Sequence, residues 1–509
     1  MAIENTTPFS KALFWLLLSL LAIFPISSTI ALRNLMLLLL SATFLVLLGF
    51  RHGRFAYPLR QSLKTLPFPI LFWVGFLFLF PLWARQSATA WRSLGMEWIE
   101  ALLAGFVGFA AFHWLGRRGP GLLALGFASA VPLILHLLLC IAALLGLLSN
   151  AFYADPTIST LWDSLVHPMA YQANPHWTLQ QLMHGFRGIE PMHGNLGYPA
   201  CQAIALFGAH LVHAIRGRNS SGQLLSIGGI ALCFLSILIA QSRGAILYAF
   251  LIMALCFALA KSGLGTVAAS SKGDDKSHGS WRGMVLGLVT VGLLLSVTYQ
   301  YVKRDPRWFN MADSVQAAFA IQDPTKVICE GLDSTTQDAI RLHLQGRDPV
   351  YVQAVIEGLK SDGGRVLLLR VGWQLVRENP LGLDGSRHSY QKLIAEKCGH
   401  TPMMQFAHSH NSWLDLALAL GWMGAFAFAS MMVYFLYSGL SGMRSNPDSP
   451  WAMALVLISS FWILRGFADS VYREHYMQMQ LLLLMYLFGR RKFVLGHAQT
   501  ASAAANEAG

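Results

Sequence analysis

The chain has little charge for its length. Only 12% of its 509 residues are Asp, Glu, Lys or Arg, against about 25% in soluble domains, and this excludes a single large water-soluble core. Cysteine is scarce as well, with six in all, too few for a disulfide-dense secreted scaffold. Cys140, Cys201, Cys233 and Cys256 lie in apolar runs, where a thiol acts as a small hydrophobe. Cys329 and Cys398 stand in the one long polar stretch, and form the candidate disulfide if that stretch lies outside the cytoplasm. No phosphate-binding P-loop, no Gly-rich dinucleotide fingerprint, no H-E-x-x-H and no evident acidic pair for a divalent ion occurs, so no nucleotide, metal or other cofactor is expected. Nothing marks a nucleic-acid partner. No small-residue cleavage site follows the first apolar run, 13–32, which therefore reads as a retained helix, not a signal peptide.

What the chain does have is apolar surface. Hydrophobic residues make up 55% of it, and the mean hydropathy is +0.49. Runs near 20 residues recur along the length, the size that crosses a bilayer as a helix. Twelve spans fit, near 13–31, 34–50, 67–84, 96–115, 121–148, 195–215, 224–240, 244–261, 284–302, 411–437, 451–468 and 476–489. The expected fold is an all-α polytopic membrane protein. The net charge of +12 suits anionic lipid, or equally reflects basic loops on the cytoplasmic side. With the N-terminus inside, Arg51, Arg54, Arg60, Lys64, Lys261, Lys272, Lys276, Arg282, Arg490, Arg491 and Lys492 all fall on the cytoplasmic face. The other face receives isolated arginines. That asymmetry places both termini in the cytoplasm and the long polar segment outside.

Four regions follow: membrane helices over 1–302, with an outer loop at about 149–194; a large outer segment, 303–409; further membrane helices over 410–489; and a cytoplasmic tail, 490–509, of low complexity. Within the large segment, Ser334-Thr-Thr-Gln337 reads as a capping box opening a short helix. A second helix starts near Gly363-Gly364, carries Arg365 and Trp373, and stops at Asn379-Pro380, because the residue before proline disfavours helix. The loop 262–283 reads as a flexible linker.

The polar residues that bear chemistry gather at the ends of spans. His408, Ser409, His410 and Asn411 precede an apolar run, so the imidazoles sit where a membrane helix meets water. A neutral imidazole there is a natural general base for a hydroxyl; equally, the segment caps the helix through Asn411 or Ser409. The usual spacing of further metal ligands is absent around His408 and His410, so no metal is expected. Arg243, in Gln241-Ser242-Arg243-Gly244, joins two apolar runs on the face where arginine is disfavoured, which asks for an anionic partner such as a phosphate; a snorkelling role is the other reading. Arg365 at a helix start makes a second anion site or a solvated charge. Arg187, ahead of His193-Gly194-Asn195-Leu196-Gly197, is a third candidate, followed by Arg92, Arg465 and Arg473.

Together these residues resemble the bacterial O-antigen ligases, within the O-antigen ligase and polymerase superfamily of membrane glycosyltransferases. His410-Asn411, nine residues and then Gly421 is similar to the ligase motif, with Trp422 where Thr or Val is frequent. Ser242-Arg243-Gly244 resembles the family's helix-opening Ser-Arg-Gly. Arg365 with Pro380-Leu381-Gly382 resembles its Arg…Trp…Pro-Leu-Leu-Gly segment, with Leu369 at the Trp position. Arg187 with Asn195-x-Gly197 resembles a further helix entry.

The resemblance implies a GT-C-like fold at the inner membrane. It also implies metal-independent, inverting glycosyl transfer at the periplasmic face, from an undecaprenyl-diphosphate-linked glycan to a hydroxyl of lipid A–core. In that reading His410 is the base, Arg243, Arg365 and Arg187 are anion ligands, and Asn411, His408 and Asn195 contact substrate. An O-antigen polymerase and a protein O-oligosaccharyltransferase share the donor and remain open. A transporter or flippase is the reading from another class; the absence of charge at mid-span and the gathering of polar groups on one face speak against it.

Overall fold

The computed structural model describes residues 8–26, 29–49, 56–166, 177–182, 195–268, 310–359, 362–472 and 476–491, together with 186, 188, 292, 296, 298–300, 303. All regular structure among them is helical. Seven helices are long and apolar enough to cross a membrane, and Pro8–Ile23, Phe68–Leu82 and Pro450–Gly466 are shorter apolar helices. A further helix over 476–491 is buried on nearly all sides. Each expected span carries a helix except 284–302, which lies almost wholly outside the described residues. The chain is an all-α polytopic membrane protein.

Two boundaries differ from expectation for simple chemical reasons. The first break falls after Ile23, with the next helix starting at Ile30, and not at residues 32–33. Pro25 lies in the gap; it donates no amide hydrogen and disfavours helix at the residue before it. The short helix Ser334–His343 is capped by Asp333, whose side chain accepts from Thr336 N at 2.8 Å, so Ser334 is its first residue and not its cap. Gln337 reaches back to Leu332 O instead. The linker and tail lie mostly outside the described residues; the helix from Arg243 continues to Ala268, past the expected end.

Over the membrane helices lies a layer of six helices, Met311–Ala320, Pro324–Glu330, Ser334–His343, Pro349–Gly358, Asp362–Glu378 and Ser389–Cys398. Its apolar centre includes Val355, Leu359, Leu367, Leu368, Val371 and Ile394. Cys329 and Cys398 are joined as a disulfide with Cα atoms 5.4 Å apart.

One joint fixes this layer to the membrane body. The long helix Ser412–Ser445 is broken at Gly421, where φ is +75° and ψ 176°. The loop Pro380–Gly385 docks into the break. Leu383 N donates to Leu418 O, Gly385 N to Ala419 O and Trp422 N to Pro380 O, at 2.9, 2.9 and 3.0 Å. A Cβ on Gly421 would lie 2.6 Å from Leu381 C, and a positive φ already disfavours any side chain. Asp384 fastens the loop: its buried carboxylate accepts from Ser386, Ser389 and Lys392. Burial acts upward on that carboxyl, but these donors outweigh it and hold it below its ordinary range. On the other flank Trp98 Nε1 donates to Gly385 O at 2.8 Å, and Glu97 accepts from Arg387 N.

Candidate active site

The segment that ends in His410 is shaped by local hydrogen bonds. Asn411 is the cap of helix Ser412–Ser445, its side chain accepting from Trp413 N at 3.0 Å and Leu414 N at 3.1 Å, as a capping side chain satisfies otherwise orphaned amides. Its Nδ2 donates to Phe467 O at 3.1 Å. Ser409 Oγ donates to Asn411 O and accepts from Asn411 N, closing a small ring of bonds. His410 in between adopts φ +56°, a conformation rare for a residue with a side chain. The turn brings the His408 and His410 rings to 4.4 Å between centroids, with Phe406 edge-on to His410 at 6.4 Å.

What faces His410 comes from the far end of the chain. Asp469 follows helix Pro450–Gly466, and its Oδ1 lies 3.5 Å from His410 Nδ1. That is longer than an aligned N–H···O bond and close enough for strong charge coupling. Asp469 Oδ2 accepts from Tyr198 Oη at 2.7 Å and Arg465 Nη2 at 2.8 Å, and Oδ1 from Ser470 N at 2.9 Å. Burial alone pushes this carboxyl upward; Arg465 and His410 outweigh it, and Asp469 stays well below the usual carboxylate range. Its backbone carbonyl accepts from Ser412 N and Ser412 Oγ, so the segments carrying His410 and Asp469 are locked together.

Arg465 is the hub. It is 6% exposed, pairs with Asp469, and lies over the rings of Tyr198 and Tyr248 at 5.0 and 5.1 Å, where a guanidinium is attracted to the π faces. It packs against Gly244 so closely that any side chain there would collide with it. Gly244 of Ser242-Arg243-Gly244 is therefore a contact surface for Arg465. Cys201 Sγ donates to Ala245 O at 3.4 Å, drawing the helix that begins after Asn195 to the same place.

Arg243 opens helix Arg243–Ala268 and is clamped by Asp362: Nη1 lies 2.9 Å from Oδ2 and Nη2 3.2 Å from Oδ1. Arg365 stands one turn further along helix Asp362–Glu378 and is exposed. Arg465, Asp469 and His410 thus form one cluster, with Arg243 next in sequence to the Gly244 that Arg465 packs against and tied by Asp362 to the helix that carries Arg365. Asn195 sits half-buried at the entry to helix Gly197–Arg216. Arg187 and Arg473 lie outside the described residues, and Arg92 is exposed with its Nε against Met96 Sδ. Asp469, Tyr198 and Asp362 escape sequence reasoning; the one available signal was the i, i+4 pair Arg465 and Asp469 at the end of an apolar run.

Chemically, the arrangement offers an imidazole backed by a fixed carboxylate, beside guanidinium groups of the kind that hold phosphate oxygens. No curated protein matches the chain significantly. Residues 228–429, which include Arg243, Arg365, His410 and Gly421, match the family model for O-Antigen ligase, so this stretch of the chain is similar to the O-antigen ligase and polymerase superfamily of membrane proteins.

Proposed function

We propose that the protein is an O-antigen ligase, transferring a glycan from undecaprenyl diphosphate to a hydroxyl of lipid A–core at the periplasmic face of the inner membrane. The observation that supports this best is the pairing of His410 with Asp469 inside a cluster of arginines. The bond formed joins the sugar's anomeric carbon to the acceptor oxygen; the bond broken is from that carbon to the diphosphate oxygen. His410 takes the acceptor proton at the ring nitrogen that does not face Asp469. Asp469, aligned by Tyr198 and Arg465, orients the ring through Nδ1 and stabilises the imidazolium that forms, as a carboxylate does behind a histidine base. Arg243 and Arg365 hold the diphosphate and balance the charge that develops on it as it leaves. Attack from the face opposite the leaving group inverts the anomeric configuration. In this reading the layer of six helices from Met311–Ala320 to Ser389–Cys398 is the periplasmic cover of the site.

Purified protein supplied with lipid-linked glycan and separate acceptors tests the proposal. A ligase modifies lipid A–core. Elongation of the lipid-linked glycan alone would make the chain a polymerase, and transfer to peptide alone a protein glycosylating enzyme.

A further inference from the structure

His408, His410 and Asp469 each present one ligand atom, and these atoms all lie within 4.8 Å of one another. We propose that the three residues form a binding site for a transition dication of the zinc class, and that the bound ion withdraws His410 from its role as a base. The consequence for activity rests on the functional reading above; the binding itself does not.

The geometry is built for it by the backbone. Two residues in an extended strand stand about 6.6 Å apart along the chain, yet the His408 and His410 ring centroids are 4.4 Å apart, because His410 takes a left-handed turn held by Ser409 and Asn411. His410 Nδ1 and Asp469 Oδ1 are 3.5 Å apart. Two ligands at about 2.0–2.2 Å from a tetrahedral zinc are separated by roughly that distance. The carboxylate is held by hydrogen bonds as metal-bound carboxylates are: Tyr198 and Arg465 occupy Oδ2, while Oδ1 accepts one bond, from Ser470 N, and is the oxygen nearest the imidazole.

Ligand chemistry selects the ion. Two imidazoles and one carboxylate suit zinc or a neighbouring transition metal, whereas magnesium and calcium need sets of oxygen ligands. Three protein ligands leave a fourth position open, and the side chains of His410 and Asp469 are 22% and 14% exposed, so an ion can enter. Arg465 shares the carboxylate and opposes a second positive charge, which sets the affinity below that of a closed four-ligand site.

The test is a titration of chelator-stripped, full-length protein in detergent with zinc chloride, with magnesium chloride as control. The expected result is one zinc per chain by calorimetry, a first shell of nitrogen and oxygen by X-ray absorption, and no magnesium binding. His408→Gln weakens zinc at least about tenfold, the lower bound set by loss of supporting interactions alone. His410→Gln does the same, and serves if the first variant fails to fold. Transfer activity of the unaltered protein falls as zinc saturates and returns with EDTA. Zinc binding that neither variant weakens, or no zinc binding at all, overturns the site. Zinc bound with transfer undiminished overturns the competition. Binding is read without substrate, so an error in the choice of reaction does not mask the result.

Discussion

The carboxylate of Asp362 spans both terminal nitrogens of Arg243, at 2.9 and 3.2 Å. A fork able to receive two oxygens is filled by two oxygens of the protein's own chain, and in the proposed reaction a diphosphate takes that place. Arg243→Lys keeps the charge but loses the planar fork, and kcat/KM for the lipid-linked donor is expected to fall by at least tenfold. Asp362→Asn removes the competing charge. It should lower the KM for donor by up to about fivefold, since solvent-accessible ion pairs are worth up to about 1 kcal/mol. A raised KM in Asp362→Asn would mean that the carboxylate positions Arg243 and does not compete.

Arg465 and Asp469 are 7% and 14% exposed in their side chains. Removing one partner of a buried pair strands the other charge, at about 3–5 kcal/mol. Arg465→Met is therefore expected to lower the melting temperature of the detergent-solubilised protein sharply, and Arg465→Met with Asp469→Asn to restore part of the loss. Additive destabilisation in the double variant would contradict the pairing.

Gly421 holds the joint between the polar layer and the membrane helices. Gly421→Ala forces a side chain into a positive-φ position, at a cost of about 1–3 kcal/mol, and against Leu381. The expectation is faster proteolysis within the docked loop Pro380–Gly385 and reduced transfer, with the protein still inserted. Unchanged proteolysis would show that the joint tolerates a Cβ.

Cys329 and Cys398 are 69 residues apart, and closing a loop of that length restricts the unfolded chain by about 4 kcal/mol. The Cys329→Ser, Cys398→Ser double variant should melt earlier, and dithiothreitol should shift the unaltered protein by a similar amount while leaving the double variant unmoved.

Much of this architecture is legible in the sequence because hydropathy and turn chemistry act locally. The apolar runs give the helices, Asn379-Pro380 gives the end of helix Asp362–Glu378, and the Asn411 cap follows from its side-chain chemistry. The spacing from His410 to Gly421 is visible too, but its cause is not. The nine residues between Asn411 and Gly421 make the helical distance from the cap to the break that receives Pro380–Gly385, so two motifs far apart in sequence are halves of one joint. Trp422, unaccounted for by the motif, sends its backbone amide to Pro380 O and meets Trp373 edge-on at 5.5 Å. Asp469, Tyr198 and Asp362 were illegible for a different reason. Each is an ordinary polar residue near a helix end, and only tertiary packing brings it to His410 or Arg243.

The central claim is that His410, backed by Asp469, is the base that activates the acceptor. Single-turnover transfer from lipid-linked glycan to lipid A–core, measured for the unaltered protein, His410→Ala and Asp469→Asn at matched folding and saturating donor, tests it directly. The expected rate is lower by about 10²–10⁴ in His410→Ala, the range of general-base catalysis, with a smaller but clear loss in Asp469→Asn. A His410→Ala protein that transfers glycan at the unaltered rate would contradict it.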